Sequence, residues 1–494
     1  MTDGRDVVIR AVAGETPVVQ LIDGPVTGGF SARGGRLELD GLHLVASGRG
    51  RDATQPLIRI ESATVVIRNG TITLADPADA AVAAVQLERG VGTPARCVLE
   101  NVIVRGNNLT AVATLGGANE VVAGNCLLAG GNAPVIVIRD PLAIGQEASA
   151  GQAGLQLLSC IVLSRNAAVA CEHRDATAVP ALYVRVRRTA LLGAGPEAAA
   201  LRFTAWPESS PNELDRPRAL GVKLVSERTV WAGWPHLTAF SGSSGGAGIL
   251  ADSDAQWLQF WRTPLDGGST NLAQPVTTEP DHSRLDPAAV VAAVSAVATS
   301  SGGGSAEPLT IDLNRWPEAP QSLIARIAAG SARPRTPDDL DAAFSGPTVT
   351  IDLAKFGIKL NQKLNDECPD GARVVLTGRK RALIEPVVLK GKSLRIEFDG
   401  GGDSLQVEPA TRAGNRPSAL FRVEGGRLDL VNARLRIPGS ESASHPLRLL
   451  QVVDGSFAVR NCILIGQFGA GAQELPVIEW SPGAADVGRF GLVE

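Results

Sequence analysis

Three acid groups stand close enough in sequence to act as general acid and base: Asp252/Asp254, Asp338/Asp339/Asp341 and Asp366/Glu367. Two such carboxylates facing one bond are what glycosidic hydrolysis requires. The first two groups precede helical patterns, where acids serve equally well as caps favoured by the helix dipole. The third sits in a turn ending Pro369-Asp370-Gly371. A second chemistry is charge recognition. Six of the seven lysines lie between 355 and 392, and Arg379, Lys380 and Arg381 with Lys390 and Lys392 could hold an acidic glycan or a phosphate. A third is sugar stacking, for which Trp231, Trp234, Trp257 and Trp261 are candidates; large aromatics serve a core cap equally well. Arg379, Lys380, Arg381, Trp231 and Trp234 are therefore the candidate ligand-binding residues, and the sequence nominates no catalytic residue.

Cysteine offers less. Cys97, Cys126, Cys160, Cys171, Cys368 and Cys462 are far apart with no C-x-x-C pair, which argues against zinc and against dithiol redox work. Neither a metal nor a cofactor is expected. His173-Arg174-Asp175 spells the opening of a kinase catalytic loop. The continuation lacks the leucine and the metal-binding asparagine, and D-F-G and V-A-I-K are absent. Phosphoryl transfer has no support.

Whatever carries these residues is organised by a repeat. Gly34-Gly-Arg-Leu-Glu-Leu returns as Gly425-Gly-Arg-Leu-Asp-Leu, and Val66-Ile-Arg-Asn-Gly-Thr-Ile as Ala458-Val-Arg-Asn-Cys-Ile-Leu. Each copy turns on a polar or glycine pivot: Gly41, Asn69, Asn101, Asn125, Ser159, Arg188, Arg228, Asn432 and Asn461. At four and two residues before the pivot and three after it, 26 of 27 positions are apolar, where a 44% hydrophobic chain gives about 12. Ser226 is the exception. The apolar face changes parity across the pivot, which a single straight strand cannot do because its side chains alternate strictly. Two strands joined by a sharp bend can. Asn and Gly suit that bend because they enter the left-handed backbone region at low cost. Pivots follow one another at 28, 32, 24, 34, 29 and 40 residues, and at 29 in the second set. Such lengths fit coils of three short strands with variable loops.

This phrase resembles that of the right-handed parallel β-helix, pectin-lyase-like superfamily, over roughly residues 5–262 and 370–494. A weaker likeness is to the non-catalytic C-terminal β-helix regions of large bacterial multidomain proteins, some of which carry a kinase. The resemblance implies an all-β fold of two right-handed solenoid arrays. Residues 1–262 form the first array with an aromatic cap. Residues 263–346 form a linker with short helices and a Gly/Ser tract, Ser300–Ser305. Residues 347–494 form a second, truncated array. Helices are expected at Trp257–Trp261, after Asp286-Pro287 and from Thr336, and Leu360–Glu367 is expected to cap the second array before Ala372-Arg-Val-Val-Leu.

Two functions follow. One is a non-catalytic scaffold or interaction region of a bacterial multidomain protein. The alternative is a polysaccharide lyase or glycoside hydrolase, acting in a groove along the coils with residues from loops such as 140–153 and 206–218. Against that stands the absence of the superfamily's N-T-D and G-H-G hydrolase phrases. Partners are expected to be protein or glycan. With 47 basic and 51 acidic residues and a net charge of −4, no basic field recommends nucleic acid. The longest apolar run, Pro287–Ala298, is broken by Ser295 and falls short of the roughly 20 residues a membrane span needs. No signal peptide is visible, so a cytoplasmic location follows if Met1 is the true start. Residue 7 already lies mid-strand, which suggests a piece of a longer chain.

Overall fold

A computed structural model describes residues 2–3, 6–11, 17–21, 29–49, 51, 54–88, 94–117, 119–141, 153–173, 181–206, 221–242, 249–261, 270–272, 281–300, 312–317, 344–378, 381–399, 406–410, 418–437, 448–460, 462–466, 478–481 and 491–493. Two compact units emerge. One comprises Met1–Asp6, Leu21–Leu39 and His43–Ala332; the other comprises Val7–Gln20, Asp40–Leu42 and Arg333–Glu494.

In the first unit each turn of chain contributes one strand to each of three sheets. Ile58–Glu61, Thr64–Arg68 and Thr71–Leu74 make one coil, and Val82–Glu88, Arg96–Glu100 and Ile103–Arg105 the next. Every strand pairs in parallel with its equivalent one coil on, giving ladders of ten, eight and nine strands. The antiparallel exception is Ile249–Ala251 against His236–Gly242. Register follows the sequence phrase: Val65 lies beside Cys97, Cys97 beside Val121, Val121 beside Leu155, and Leu155 beside Val184.

The bend between the second and third sheets falls on the expected residues. Gly41, Asn69, Asn101, Asn125, Ser159, Arg188, Arg228 and Asn432 all have φ between +48° and +73°. Asn461 lies outside the described residues. The left-handed turn swings the following strand into another sheet, so offsets −4, −2 and +3 all point inward. Of those 27 side chains only Leu224, Ser226 and Leu464 are less than buried. Asparagine adds a cross-link between coils: the Asn101 Nδ2 donates to Asn69 Oδ1 and the Asn125 Nδ2 to Asn101 Oδ1, both at 3.0 Å. The stacked amides satisfy one another, while the backbone N–H groups of Asn69, Asn101 and Asn125 donate to carbonyls of the next coil.

One end of the first unit's core carries aromatics. Helix Asp254–Trp261 is capped by Ser253, whose Oγ accepts from the Gln256 N–H at 3.3 Å. It buries Trp257, Phe260 and Trp261. Trp257 packs on Trp231 with ring centroids 5.2 Å apart, and Trp261 on Phe203 at 5.9 Å.

The third sheet is apolar on its outer face as well. Ile103, Leu127, Ile161, Leu163, Leu192 and Val230 are covered there by Leu285, Val290, Val294 and Trp316. Helix Pro287–Ser300, opened by the Asp286 carboxylate accepting from Ala288 N–H at 3.0 Å, thus packs across the coils. The residues of the Gly/Ser tract beyond Ser300, and the helix start at Thr336, lie outside the described residues.

In the second unit, strands from Thr348–Asp352 to Gly491–Val493 form an eight-stranded parallel sheet, and four more form a second sheet. The long strands Val387–Asp399 and Phe421–Val431 run on through bends at Gly391 (φ +60°), Gly425 (φ +69°) and Gly426 (φ +76°). A Cβ at Gly426 would lie 2.4 Å from the Lys392 carbonyl oxygen, so glycine is required there. Helix Leu360–Asp366 buries Leu360 and Leu364 against this core.

Candidate functional site

The carboxylates on the coil faces are engaged one coil away. Arg68 bridges Glu38 at 3.0 Å and Glu100 at 3.1 Å, Arg96 meets Glu120 at 2.9 Å, and Arg139 meets Glu172 at 2.9 Å. In-register stacking makes such pairs recur, because each outward charge stands about 4.8 Å from its neighbours above and below. The acid pairs are dispersed in the same way. Asp252 Oδ1 lies 2.6 Å from His236 Nδ1, a contact 16 residues apart that no sequence pattern marks. Asp254 stands in the first turn of its helix, and Glu367 pairs with Lys363 at 2.5 Å. Asp338, Asp339 and Asp341 lie outside the described residues, as do Arg174 and Asp175.

Three cysteines follow the pivots directly, and their role is legible in hydrogen bonds. The Cys126 Sγ donates to Gly124 O at 3.2 Å, Cys160 Sγ to Leu158 O at 3.4 Å and Cys462 Sγ to Arg460 O at 3.0 Å. At Arg188 and Arg228 a threonine does the same: Thr189 Oγ1 reaches Arg187 O at 2.9 Å and Thr229 Oγ1 reaches Glu227 O at 3.4 Å. These five side chains add a second donor to a carbonyl two residues back that already accepts a backbone N–H from the preceding coil, while Leu42, Gly70, Val102 and Ala433 fill the same column without a donor. Burial pushes the Cys462 thiol up to about 11, far from the thiolate a nucleophile needs. Among the described residues no three His, Cys, Asp or Glu side chains gather as a metal site.

Trp231 is 0% and Trp234 5% exposed. Trp231 stacks within the aromatic cap, and the Trp234 indole donates to Leu191 O at 2.8 Å. A ring buried on both faces offers no surface to a sugar. Capping accounts for Trp231, and Trp234 is buried against the coil turn at Gly193, so neither offers a stacking face.

The basic cluster divides. The Lys392 ammonium donates to Leu364 O and Asn365 O, both at 2.7 Å, closing the C-terminus of helix Leu360–Asp366. Lys390 pairs with Glu424 at 3.3 Å. Arg379 and Lys380 lie outside the described residues. Arg381 remains, and it lines a groove of about 350 Å³ with Leu353, Ala354, Lys355, Gly357, Ile358, Ala382 and Leu383.

Local sequence explains that groove. Strand Arg381–Ile384 lies at an edge of the four-stranded sheet and points Ala382 and Ile384 inward, Arg381 and Leu383 outward. Helical turns Leu353–Phe356 and Gly357–Lys359 run alongside. They approach so closely that a Cβ on Gly357 would stand 2.3 Å from the Leu383 carbonyl oxygen. Ile358 and Leu383 stay 57% and 51% exposed, and of the four exposed large hydrophobics among the described residues these two share one groove. Lys355, 4.0 Å from the Asp352 carboxylate, is one lining cation, and Arg381 is the other. Arg381 Nε donates to Glu408 Oε2 at 3.0 Å and a second guanidinium nitrogen reaches the same oxygen. Gln406 Nε2 holds the other oxygen of Glu408 at 2.7 Å. Glu408 is 2% exposed, so it fixes Arg381 while the guanidinium remains in solvent. The sequence marks Arg381; Ile358, Leu383 and Glu408 become part of the site only through folding.

Stacked parallel coils with a continuous inward apolar column define an all-β protein of the parallel β-helix class. No known protein family matches the sequence, and no curated protein does. Among solved structures, a PL6 family alginate lyase is similar at 10% identity, over 94% of this chain and 73% of that one, with a TM-score of 0.21. A likeness of that size carries no argument about chemistry.

Proposed function

We propose that this chain is a two-array, right-handed β-helix serving as a non-catalytic interaction region of a larger protein, with the groove at Arg381 as its contact point. One observation carries the reading: Lys355 and Arg381 flank exposed Ile358 and Leu383 in a formed groove. Cations beside an apolar floor suit a partner that presents carboxylates next to apolar surface, such as a uronate-bearing glycan or an acidic peptide. The charges on the coil faces are engaged in ion pairs between coils, and the cysteines are buried or half-buried, so neither offers a comparable contact point.

A second reading, a polysaccharide lyase or glycoside hydrolase, is favoured by Glu408, a buried carboxylate held beside a guanidinium on an outward face. Incubation of the chain with polygalacturonate, alginate and neutral glycans separates the two. The interaction reading expects binding of acidic polymers, weakened by Arg381→Ala, without new reducing ends or absorbance from unsaturated products. Turnover that disappears in Glu408→Gln would establish the enzyme instead.

A further inference from the structure

The segment covering the outer face of the third sheet is anchored at one end by polar contacts to coil turns. Arg105, fully buried, donates to Leu285 O at 2.9 Å, and Asn107 Nδ2 to Asp281 Oδ1 at 3.0 Å. Between them sits His282, 0% exposed, whose Nδ1 accepts the Gly131 backbone N–H at 2.8 Å. That bond exists only while the imidazole is neutral. A protonated ring carries hydrogen on both nitrogens, so its Nδ1–H would oppose the Gly131 N–H. The ring's one proton therefore sits on Nε2, which is buried with no acceptor. The charged groups facing the ring are Arg165 from the coils and Asp281 from the segment itself. Asp281 is already engaged by Asn107, by Ser283 and by Arg284, the last at 3.2 Å. The second anchor is different in kind: Asn125 exchanges hydrogen bonds with the Asp312 backbone, and the Trp316 indole donates to Asn125 O at 2.7 Å. None of those contacts uses an ionisable atom.

We propose that residues 281–300 form an acid-released strap with His282 as its latch: protonation at Nδ1 breaks the bond to Gly131 and frees the helix Pro287–Ser300 from the apolar face of the third sheet. The direction follows from linkage. Burial first, then Arg165, pushes the His282 imidazole down from 6.5 to about 4, with Asp281 opposing. Between those values the released strap binds a proton that the docked strap does not, so docking weakens as pH falls from 6.5 towards 4. A drop from pH 7 to pH 5 shifts the docking equilibrium roughly 20-fold towards release.

Hydrogen–deuterium exchange of the full chain tests this, with rates corrected for the intrinsic effect of pH. Amides of 287–300 are expected to lose protection by about 20-fold at pH 5 relative to pH 7. Those of core strands Ile161–Ser164 and Ala190–Gly193 keep theirs. In His282→Asn the amide oxygen still accepts from Gly131 but takes no charge, so the strap stays protected at both pH values. Equal strap protection at pH 7 and 5, joint loss of protection in strap and core, or an unchanged pH response in His282→Asn would each overturn the proposal. If that variant does not fold, the comparison of strap with core in the unaltered chain decides alone.

Discussion

Each coil rests on a few residues whose tolerances differ by chemistry. Val162 and Leu128 are fully buried in the +3 column, where a carboxylate finds no partner. Val162→Asp should cost at least about 4 kcal/mol in a urea melt, against about 0.5 kcal/mol or less for Thr204→Asp on an exposed position. At the pivots the backbone decides. Asn101 holds φ at 55° and donates to Asn69, so Asn101→Ala should lose about 2 kcal/mol while Asn101→Gly, which relaxes the strain, loses about half that. His43 supplies a pH effect separate from the strap. Burial, then Arg105, holds its imidazole down from 6.5 to about 4, with Thr71 Oγ1 at 2.9 Å from Nδ1. Its contribution is complete above pH 6.5 and falls away towards pH 4, where the unfolded chain binds the extra proton. His43→Leu should therefore flatten the loss of stability between pH 7 and 4.5 by about 2–3 kcal/mol. Urea melts at the two pH values measure it.

At the scale of elements, the strand–bend–strand unit was readable because it is local: parity and pivot type are properties of about eight consecutive residues. The aromatic cap was readable for a similar reason, an i, i+4 tryptophan pair on one short helix. Trp257→Ala should lose about 3–5 kcal/mol, measured as a fall in Tm, whereas Leu258→Ala on the exposed side of the same helix should change little. The helix over 287–300 was legible, but what it packs against was not. Its partners Ile103 and Leu192 lie about a hundred residues and more upstream, and nothing in a single sequence pairs them. The outward apolar residues of the third sheet do carry a trace: Leu127, Ile161 and Leu163 add to the core positions between them, making runs apolar on both faces.

For the molecule as a whole, the groove is where recognition is expected. Arg381→Ala and Lys355→Ala should each weaken binding of an acidic uronate polymer by about tenfold, with the remaining affinity falling steeply as salt rises; titration calorimetry at two ionic strengths reads both effects. Trp234→Phe, altering a buried indole, should leave that affinity unchanged. The chain itself determined the repeat, the bends and the inward columns, because each is written in side-chain types at fixed short spacing. Tertiary structure alone decided which charges meet. It turned Trp231 into part of a cap, buried Trp234 against Gly193, gave Lys390 to Glu424 and Lys392 to a helix end, and set Arg381 over Glu408 beside Ile358. The reason is geometric: stacking brings together residues a coil apart in space whatever loop length separates them in sequence, and those loops follow no fixed period.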